Sequence, residues 1–460
     1  METKIIAIDD DPTGSQTVHG CLLLTRWDPD TLVEALQDPS PLFFVLSNTR
    51  GMDAEAAAAV TREICVNLRT ALTREAERGR PVQPLMVSRS DSTLRGHYPV
   101  ETDVIAEELG PFDAHFLVPA FFEGGRITRD GMHYLLVDGE PVPVHETEFA
   151  RDSVFGFGTA FLPAYVEEKT GGRIPVDAVE RFGLADVRGD VRARLQGLTG
   201  NRCCVVDAEE QADLDNLCRQ LLAAAAAGKR FLFRSAASLL TSLAALPPQP
   251  VAAGDMAAFV RGGRPGVVLM GSHVGTSSRQ LDTLIAQTDV LSLEIDLQRM
   301  LADEDALLRD LAKRVGASVS AGRGVVLYTS RGERRFDTKA ERLAFGDRVA
   351  ALLVRIVQGL PQDIGFLISK GGITSNDTLS KGLALRTARV LGQIRAGCSV
   401  VRCPEDHPRQ PSLPVVIFPG NVGGDEALAE TYRILARAPA AAADPVPVAA
   451  AMAGMGVLGA

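Results

Sequence analysis

The chain has 460 residues, of which 46% are hydrophobic and 23% charged, a composition that is typical of globular proteins and excludes extensive disorder. This length exceeds one ordinary hydrophobic core and predicts two α/β-sized domains. The formal net charge of −10 argues against a nucleic-acid-binding protein, because such proteins need a basic surface to neutralise phosphates.

Signals for export or membrane insertion are weak. Residues 1–8 lack the basic start and the long apolar stretch of a signal peptide, and no segment approaches the ~20 apolar residues of a membrane span. The seven cysteines include no C-x-x-C pair with metal-ligand spacing. We therefore expect a cytoplasmic protein with reduced, mostly buried thiols and no membrane partner.

Short apolar runs alternate with helical patterns in the first half of the chain. Helices are predicted over 53–78, which is rich in alanine, and over 214–227. Because strands joined through helices are parallel, the pattern predicts a mainly parallel sheet covered by helices. The predicted strands are residues 5–8, 43–46, 85–87, 116–118, 203–206 and 230–233.

The same pattern restarts in the second half, after a segment rich in proline and alanine at 247–254. We predict an N-terminal domain over 1–246, a C-terminal domain over 255–436 and a loose tail over 437–460. The fold class is α/β, with the active site expected in the cleft between the two domains. The predicted strands of the second domain are residues 266–270, 290–295, 324–328, 364–368 and 414–418.

Three carboxylates, Asp9, Asp10 and Asp11, follow the first predicted strand, at the edge where parallel sheets bind ligands. Crowded carboxylates repel one another unless cations or hydrogen-bond donors compensate. They can bind Mg²⁺ through water, accept a hydroxyl proton or hydrogen-bond a polyol. One of the three is expected to cap the following turn, and at least one to be catalytic or substrate-binding.

A second polar cluster, residues 88–97, follows the strand at 85–87. Its two arginines present rigid forks that match a carboxylate or phosphate, and its hydroxyls complete a polar pocket. A Ser/Thr-rich helix cap with solvated arginines is the structural alternative. Two further arginines follow other predicted strands and strengthen the idea of an anion pocket. The candidate substrate-binding residues are Arg50, Arg89, Asp91, Ser92, Arg95 and Arg126.

Three glycine-rich loops join strands to helices in the second domain, at 271–277, 369–377 and 418–424. Paired glycines let backbone N–H groups approach a ligand, and helix starts favour phosphate groups. Each loop alone could be a tight turn, but three together favour a nucleotide site. The sequence has no G-x-x-x-x-G-K-[ST], H-E-x-x-H or G-x-S-x-G motif and no G-x-G-x-x-G at its first crossover, so ATP would bind through a different arrangement.

These motifs together resemble the four-carbon acid sugar kinases, an ATP-dependent family that includes 3-oxotetronate, threonate and erythronate kinases. The resemblance lies in residues 10–14, 91–96, 371–375 and 420–423 and spans nearly all of the chain except the tail. It implies that the N-terminal domain binds a sugar acid, that the C-terminal domain binds ATP, and that Mg²⁺ takes part. A homodimer is left open, and no metal ligand is assigned.

The resemblance also assigns site residues. At the sugar acid it implies Asp10, Asp11, Arg50, Asp91 and Arg95, and at the nucleotide Ser272, Gly371, Gly372, Ile373, Thr374, Gly420, Asn421 and Gly423.

Some positions differ from the commoner family pattern. Lysine is usual at Arg89 and glutamate at Ile373, and the last loop often reads Lys-Ser-Gly-Asn-Phe-Gly where this chain has Phe418 and Pro419 in its first two positions. These differences indicate a subfamily, whose substrate could be a branched or oxidised relative such as 3-oxo-isoapionate.

The resulting hypothesis is transfer of the ATP γ-phosphoryl group to a terminal hydroxyl, with Asp10 or Asp11 accepting the hydroxyl proton. The rival enzyme is a haloacid-dehalogenase-type phosphohydrolase, since Asp9 and Asp11 fit an Asp-x-Asp-x-Thr nucleophile motif. That reading explains only the first loop. A non-catalytic sugar-acid sensor is the alternative from another class.

Overall fold

The computed structural model describes residues 2–271, 275–331, 338–420 and 422–437 of the chain. The chain divides into two units, Met1–Pro247 and Pro248–Ala460, which we call unit 1 and unit 2. Each unit contains a mainly parallel sheet and several helices, so the predicted α/β class is confirmed.

Unit 1 begins with a buried strand and alternates strands with helices. Its strands are β1 Glu2–Asp9, β2 Leu22–Leu24, β3 Leu42–Leu46, β4 Val82–Arg89, β5 Ala114–Val118, β6 Arg126–Arg129, β7 Met132–Val137, β8 Glu140–Pro143, β9 Glu180–Phe182, β10 Arg202–Val206 and β11 Phe231–Ser235. Its helices are α1 Pro29–Gln37, α2 Ala54–Glu77, α3 Val100–Leu109, α4 Leu162–Lys169, α5 Leu184–Arg188, α6 Arg192–Gly197, α7 Gln211–Ala226 and α8 Ala237–Ala244.

The main sheet of unit 1 has the order β2-β3-β1-β4-β11-β5-β10-β9, and all its pairs are parallel. The chain leaves β1 toward β3 on one side and later returns to β4 on the other. Ligands of open parallel sheets bind where the strand order reverses in this way. The carboxyl ends of β1, β3 and β4 are adjacent, since Asp9 pairs with Leu46 and with Arg89. Strands β6, β7 and β8 form a separate antiparallel sheet.

Unit 2 repeats the alternation. Its strands are β12 Val267–Met270, β13 Leu291–Ile295, β14 Val325–Thr329, β15 Leu367–Lys370, β16 Thr387–Arg395, β17 Cys398–Arg402 and β18 Pro414–Phe418. Its helices are α9 Gly275–Gln287, α10 Leu297–Ser320, α11 Lys339–Gln358, α12 Gly372–Asp377 and α13 Ala427–Ala436.

The sheet of unit 2 has the order β13-β14-β12-β15-β18-β17-β16. It is parallel from β13 to β18, whereas β17 and β16 add antiparallel pairs at one side that the sequence analysis did not predict. The strand predicted at 364–368 is shifted to Leu367–Lys370. Its ladder continues through the polar Ser369 and Lys370, which pair with Leu269 and Met270 of β12, so hydrophobicity alone ended the prediction too early.

The strands at the centre of both sheets are buried, as expected for sheets with helices on their faces. In unit 1, α2 packs Ile64 and Leu68 against β1 and β3 residues such as Ile6 and Phe43. Its Asp53 cap accepts a 2.8 Å hydrogen bond from the backbone N–H of Ala56. Among the described residues, no helix is both long and apolar enough to cross a membrane.

Candidate active site

Arg50 holds two neighbouring carboxylates at the end of β1. Its Nη2 lies 2.5 Å from Oδ1 of Asp10, and its Nη1 lies 3.4 Å from Oδ2 of Asp11. Burial acts to raise the pKa of Asp11, but Arg50 and hydrogen bonds from Thr13 lower it by more, so this pKa lies below its ordinary value. The arginine therefore supplies the positive charge that crowded carboxylates require.

Asp11 is the more accessible of the two carboxylates. The side chain of Asp10 is 1% exposed, and both its oxygens accept hydrogen bonds, from Arg50 and from Oγ of Ser90. The side chain of Asp11 is 20% exposed. Its Oδ1 accepts from the backbone N–H and the hydroxyl of Thr13, at 2.9 and 2.5 Å, which leaves Oδ2 facing Arg50.

Arg234 of β11 holds two residues that support this site, Ser90 and Glu101. Its Nη2 donates a 2.7 Å hydrogen bond to Oγ of Ser90, and its Nη1 bonds the carboxylate of Glu101 on α3. Glu101 also accepts a 2.5 Å hydrogen bond from Oγ1 of Thr49, the residue before Arg50. One buried ion pair therefore positions both the Ser90 partner of Asp10 and the backbone that carries Arg50.

Asp91 and Arg95 form the second half of the predicted acid pocket. Nε of Arg95 lies 2.9 Å from Oδ2 of Asp91, and its guanidinium carbon lies 4.9 Å from the centre of the Phe149 ring. Burial acts to raise the pKa of Asp91, but Arg50 and Arg95 lower it well below its usual range. The electrostatic effect of Arg50 on Asp91 places both sequence clusters in one site.

The remaining substrate candidates lie around this pair. Arg89 is the last residue of β4; its buried guanidinium is 3.7 Å from Asp9, and its Nε has no hydrogen-bond partner among the described residues. The backbone carbonyl of Ser92 accepts a 2.8 Å hydrogen bond from Nε2 of His133. Ser235 of β11 lines a small pocket with Asp91, and its buried Oγ is also unpaired within the described part of the chain.

The predicted placement of Arg126 is wrong. We expected it directly after a parallel strand, but the chain first makes a turn at Phe122–Gly124, and Arg126 begins β6 of the small antiparallel sheet. The small sheet nevertheless contacts the site, because β7, which pairs with β6, carries His133, whose Nε2 bonds the backbone carbonyl of Ser92. Burial lowers the pKa of Arg126, and its Nε has no partner among the described residues.

Asp9 is poorly placed to be a nucleophile. Its side chain is 0% exposed, and burial raises its pKa to about 8. Gly14 closes over it so tightly that a Cβ at that position would overlap the Asp9 carboxylate. A phosphohydrolase nucleophile must reach a phosphorus atom. The buried Asp9 argues against the dehalogenase-type reading.

The glycine loops of unit 2 follow β12, β15 and β18, whose carboxyl ends are adjacent in the sheet. Gly371 has a φ of +115°, a conformation that other residues rarely adopt, and its N–H donates to the carbonyl of Phe418 at 2.8 Å. The side chain of Thr374 lies against Gly271 of the first loop. The predicted Gly371, Gly372, Thr374 and Gly420 thus lie at one edge, while Ser272 and Asn421 lie outside the described residues.

Two further nucleotide candidates, Ile373 and Gly423, differ from these residues in exposure and in backbone surroundings. Ile373 is 69% exposed, an unusual state for isoleucine. Gly423 has a φ of +77° and lies in a segment whose carbonyls are bonded by Gln280 of α9. The helix predicted to follow the 369–377 loop begins inside it instead: α12 runs from Gly372 to Asp377 and gives way to a π-helical turn over 378–382.

Sequence reasoning missed two functional candidates, Arg234 and Glu101. Arg234 lies in a strand far along the chain from the loops it supports, whereas Glu101 lies on α3, just after the 88–97 cluster, within an ordinary helical pattern. Lys370 falls inside the predicted 369–377 loop, where the sequence suggested it only as the lysine of the rival phosphohydrolase. Among the described residues, no group of three or more His, Cys, Asp or Glu side chains is placed to hold a metal ion.

Comparison with known proteins identifies the family. Residues 5–243 match the model for the sugar-binding N-terminal domain, and residues 267–428 match that for the nucleotide-binding C-terminal domain. The chain belongs to the four-carbon acid sugar kinase family. The resemblance seen in the sequence motifs is confirmed.

Curated relatives in the four-carbon acid sugar kinase family act on sugar acids. A D-threonate kinase of Salmonella typhimurium is 27% identical over 448 residues, which cover 93% of this chain and 97% of that enzyme. A D-erythronate kinase of Heliobacterium modesticaldum is 30% identical over 221 residues, so this chain matches only 47% of that enzyme's length. These names support a sugar-acid kinase.

Two solved structures share the fold. One, from Salmonella typhimurium, has a TM-score of 0.68 at 18% identity and covers 94% of this chain and 98% of its own. The other, from Haemophilus influenzae, has a TM-score of 0.63 at 17% identity and covers 94% of this chain and 100% of its own.

Proposed function

We propose that the chain is an ATP-dependent kinase that phosphorylates a terminal hydroxyl of a four-carbon or closely related sugar acid. One observation carries the proposal: Asp10, Asp11, Arg50, Asp91 and Arg95 converge at the carboxyl ends of adjacent strands in the unit that matches the sugar-binding family model. We assign acid binding to unit 1 and nucleotide binding to unit 2.

The acid end of the substrate is assigned to arginine. A carboxylate accepts paired hydrogen bonds from a guanidinium fork, and within the described residues neither Arg95, which contacts Asp91, nor Arg126 is bonded to Asp10. The unpaired Oγ of Ser235 offers a donor and an acceptor for a substrate hydroxyl. This set of side chains suits a small, polar, anionic molecule.

Asp11 is the proposed proton acceptor. Phosphoryl transfer relies mainly on positioning and charge neutralisation, with a carboxylate accepting the proton of the attacking hydroxyl. Asp11 has the more exposed carboxylate, whereas both oxygens of Asp10 are engaged in orienting Arg50 and Ser90. Asp10 is therefore proposed to position the site and Asp11 to receive the proton.

The donor is proposed to be Mg-ATP, held by the loops after β12, β15 and β18. Mg²⁺ commonly stays on phosphate oxygens and water and takes only one or two protein carboxylates, so it can enter with the nucleotide. When bound, Mg²⁺ neutralises charge on the phosphates. The backbone of the glycine loops and the basic side chains of unit 2 would orient the phosphate chain.

A panel assay tests the proposal. The purified chain would be incubated with Mg-ATP and D-threonate, D-erythronate, 3-oxotetronates or branched homologues, and ADP release would be compared with a reaction lacking acceptor. ADP release that depends on one acceptor is expected, and the best acceptor names the substrate. Phosphate release from sugar phosphates without ATP would instead indicate a phosphohydrolase, and binding of both ligands without ADP release would indicate a sensor.

A further inference from the structure

Lys370 is a buried ammonium group at the edge where the glycine loops of unit 2 meet. Its side chain is 0% exposed. Nζ donates hydrogen bonds to the backbone carbonyls of Pro419 and Gly420, at 3.0 and 3.2 Å, and lies 4.2 Å from the centre of the Phe418 ring. An ammonium group has three N–H donors, so one remains after these two bonds.

Lys4 of unit 1 shows how a purely structural buried lysine is satisfied in this chain. It is also 0% exposed and also donates to two backbone carbonyls, those of Asp38 and Ser40, each at 2.7 Å. In addition, its Nζ lies 3.4 Å from the carboxylate of Glu2. Lys4 therefore has a counter-charge as well as hydrogen bonds.

Lys370 has the carbonyl contacts without the counter-charge. Among the described residues, no carboxylate lies within ion-pair distance of its Nζ. The guanidinium groups of Arg331 and Arg395 act on it with the same sign, and burial lowers its pKa to about 8. Removing a charge from water without a partner of opposite sign is unfavourable, so such a group is expected where an anion binds.

Side chains of α9 hold the loop after β18 whose carbonyls Lys370 bonds. Oγ of Ser277 donates to the Gly420 carbonyl at 2.9 Å, and Nε2 of Gln280 donates to the carbonyls of Val422 and Gly424 at 3.0 and 2.9 Å. Protein donors therefore satisfy these carbonyl oxygens, and the charge that Lys370 adds beside them is positive.

We infer that Lys370 binds the phosphate chain of the nucleotide through its remaining donor. This inference rests on the proposed function, because it names a residue that recognises the phosphoryl donor. The carbonyl bonds fix the ammonium in place before the ligand arrives, so little side-chain entropy is lost on binding.

Nucleotide affinities test the inference. We expect Lys370→Gln, which keeps an N–H donor but removes the charge, to weaken Mg-ATP binding at least tenfold and to change adenosine binding less than twofold, by calorimetry and competition. Lys381→Gln is the matched control, because Lys381 is 64% exposed and pairs with Asp377 on the same segment. It should leave both affinities within twofold.

The outcomes separate the inference from the function on which it rests. Wild-type protein that binds no Mg-ATP would contradict the proposed function. Wild-type binding with unchanged affinity in Lys370→Gln, or with equal losses for Mg-ATP and adenosine, would overturn the phosphate contact alone, since equal losses indicate that Lys370 only holds the loop.

A measurement on the wild-type protein covers the case in which Lys370→Gln does not fold. A phosphate contact raises the pKa of Lys370 above 8, so Mg-ATP binding at pH 8 should take up as much as about half a proton, seen by calorimetry in two buffers of different ionisation enthalpy. The Cys398 thiol, which also acts on Lys370, does not titrate there, because burial raises its pKa to about 12. Absence of proton uptake would overturn the inference.

Discussion

Oγ of Ser90 donates a 2.7 Å hydrogen bond to Oδ2 of Asp10. This bond joins the loop after β4 to the loop after β1, so the two polar clusters of the sequence form one structure. Arg234 donates to the same Ser90 oxygen, at 2.7 Å, and so holds in place the hydroxyl that bonds Asp10. The orientation of Asp10 therefore depends on a residue that contacts no carboxylate of the β1 loop.

Loss of Arg234 should destabilise unit 1. In Arg234→Met the buried Glu101 loses its guanidinium partner, and leaving one member of a buried ion pair costs about 3 kcal/mol of unfolding free energy. Urea denaturation would measure this loss. The double variant Arg234→Met/Glu101→Leu should recover part of it, and no recovery would contradict the argument. As a control, Arg192→Met removes an exposed ion pair with Asp190 and should change the unfolding free energy far less than Arg234→Met does.

Asp11→Asn should abolish most turnover. If Asp11 accepts the hydroxyl proton, its amide cannot, and kcat should fall by about 10²- to 10⁴-fold while the acceptor KM changes little. Steady-state ADP release would measure both constants. Asp138→Asn, an exposed change in a turn of the same unit, should leave them unaltered. Wild-type turnover in both Asp10→Asn and Asp11→Asn would show that neither carboxylate accepts the hydroxyl proton.

Asp9 should make the stability of the protein depend on pH. Burial raises the pKa of Asp9 to about 8, so the folded state keeps a proton that the unfolded state releases near pH 4. This contribution to stability is complete below pH 4 and is lost as pH rises through 8. Asp9→Asn removes the titration, so its stability relative to wild type should increase by about 1 kcal/mol per pH unit between pH 5 and 7. A constant difference in urea denaturation would contradict the raised pKa.

Gly14 should tolerate no side chain. The Cβ of Gly14→Ala would overlap the Asp9 carboxylate, which is fixed inside the sheet edge, and such overpacking costs about 1–3 kcal/mol. Thermal unfolding would measure the loss. Gly197→Ala is the matched control, since a Cβ at Gly197 meets no atom within 4 Å. Equal melting temperatures for the two variants would show that the loop over Asp9 can move aside.

Much of this arrangement follows from local sequence. Each predicted strand was an apolar run, and polar clusters directly after such runs reach the carboxyl edge, so Asp10, Arg50 and Asp91 could be placed together in advance. Arg126 could not be placed correctly, because the turn before β6 leaves no signal distinguishing it from a parallel strand end. Arg234 and Glu101 carry no local pattern, since their roles depend on tertiary packing of β11 against β4 and on the position of α3.

The contact between Lys370 and Phe418 links two strands of the unit 2 sheet. The two residues are cross-strand neighbours in β15 and β18, and Nζ of Lys370 lies 4.2 Å from the centre of the Phe418 ring. A cation beside an aromatic face is stabilised by the electrons of the ring. A substitution of Phe418 therefore also alters the surroundings of a charge on the neighbouring strand, and its effects cannot be assigned to β18 alone.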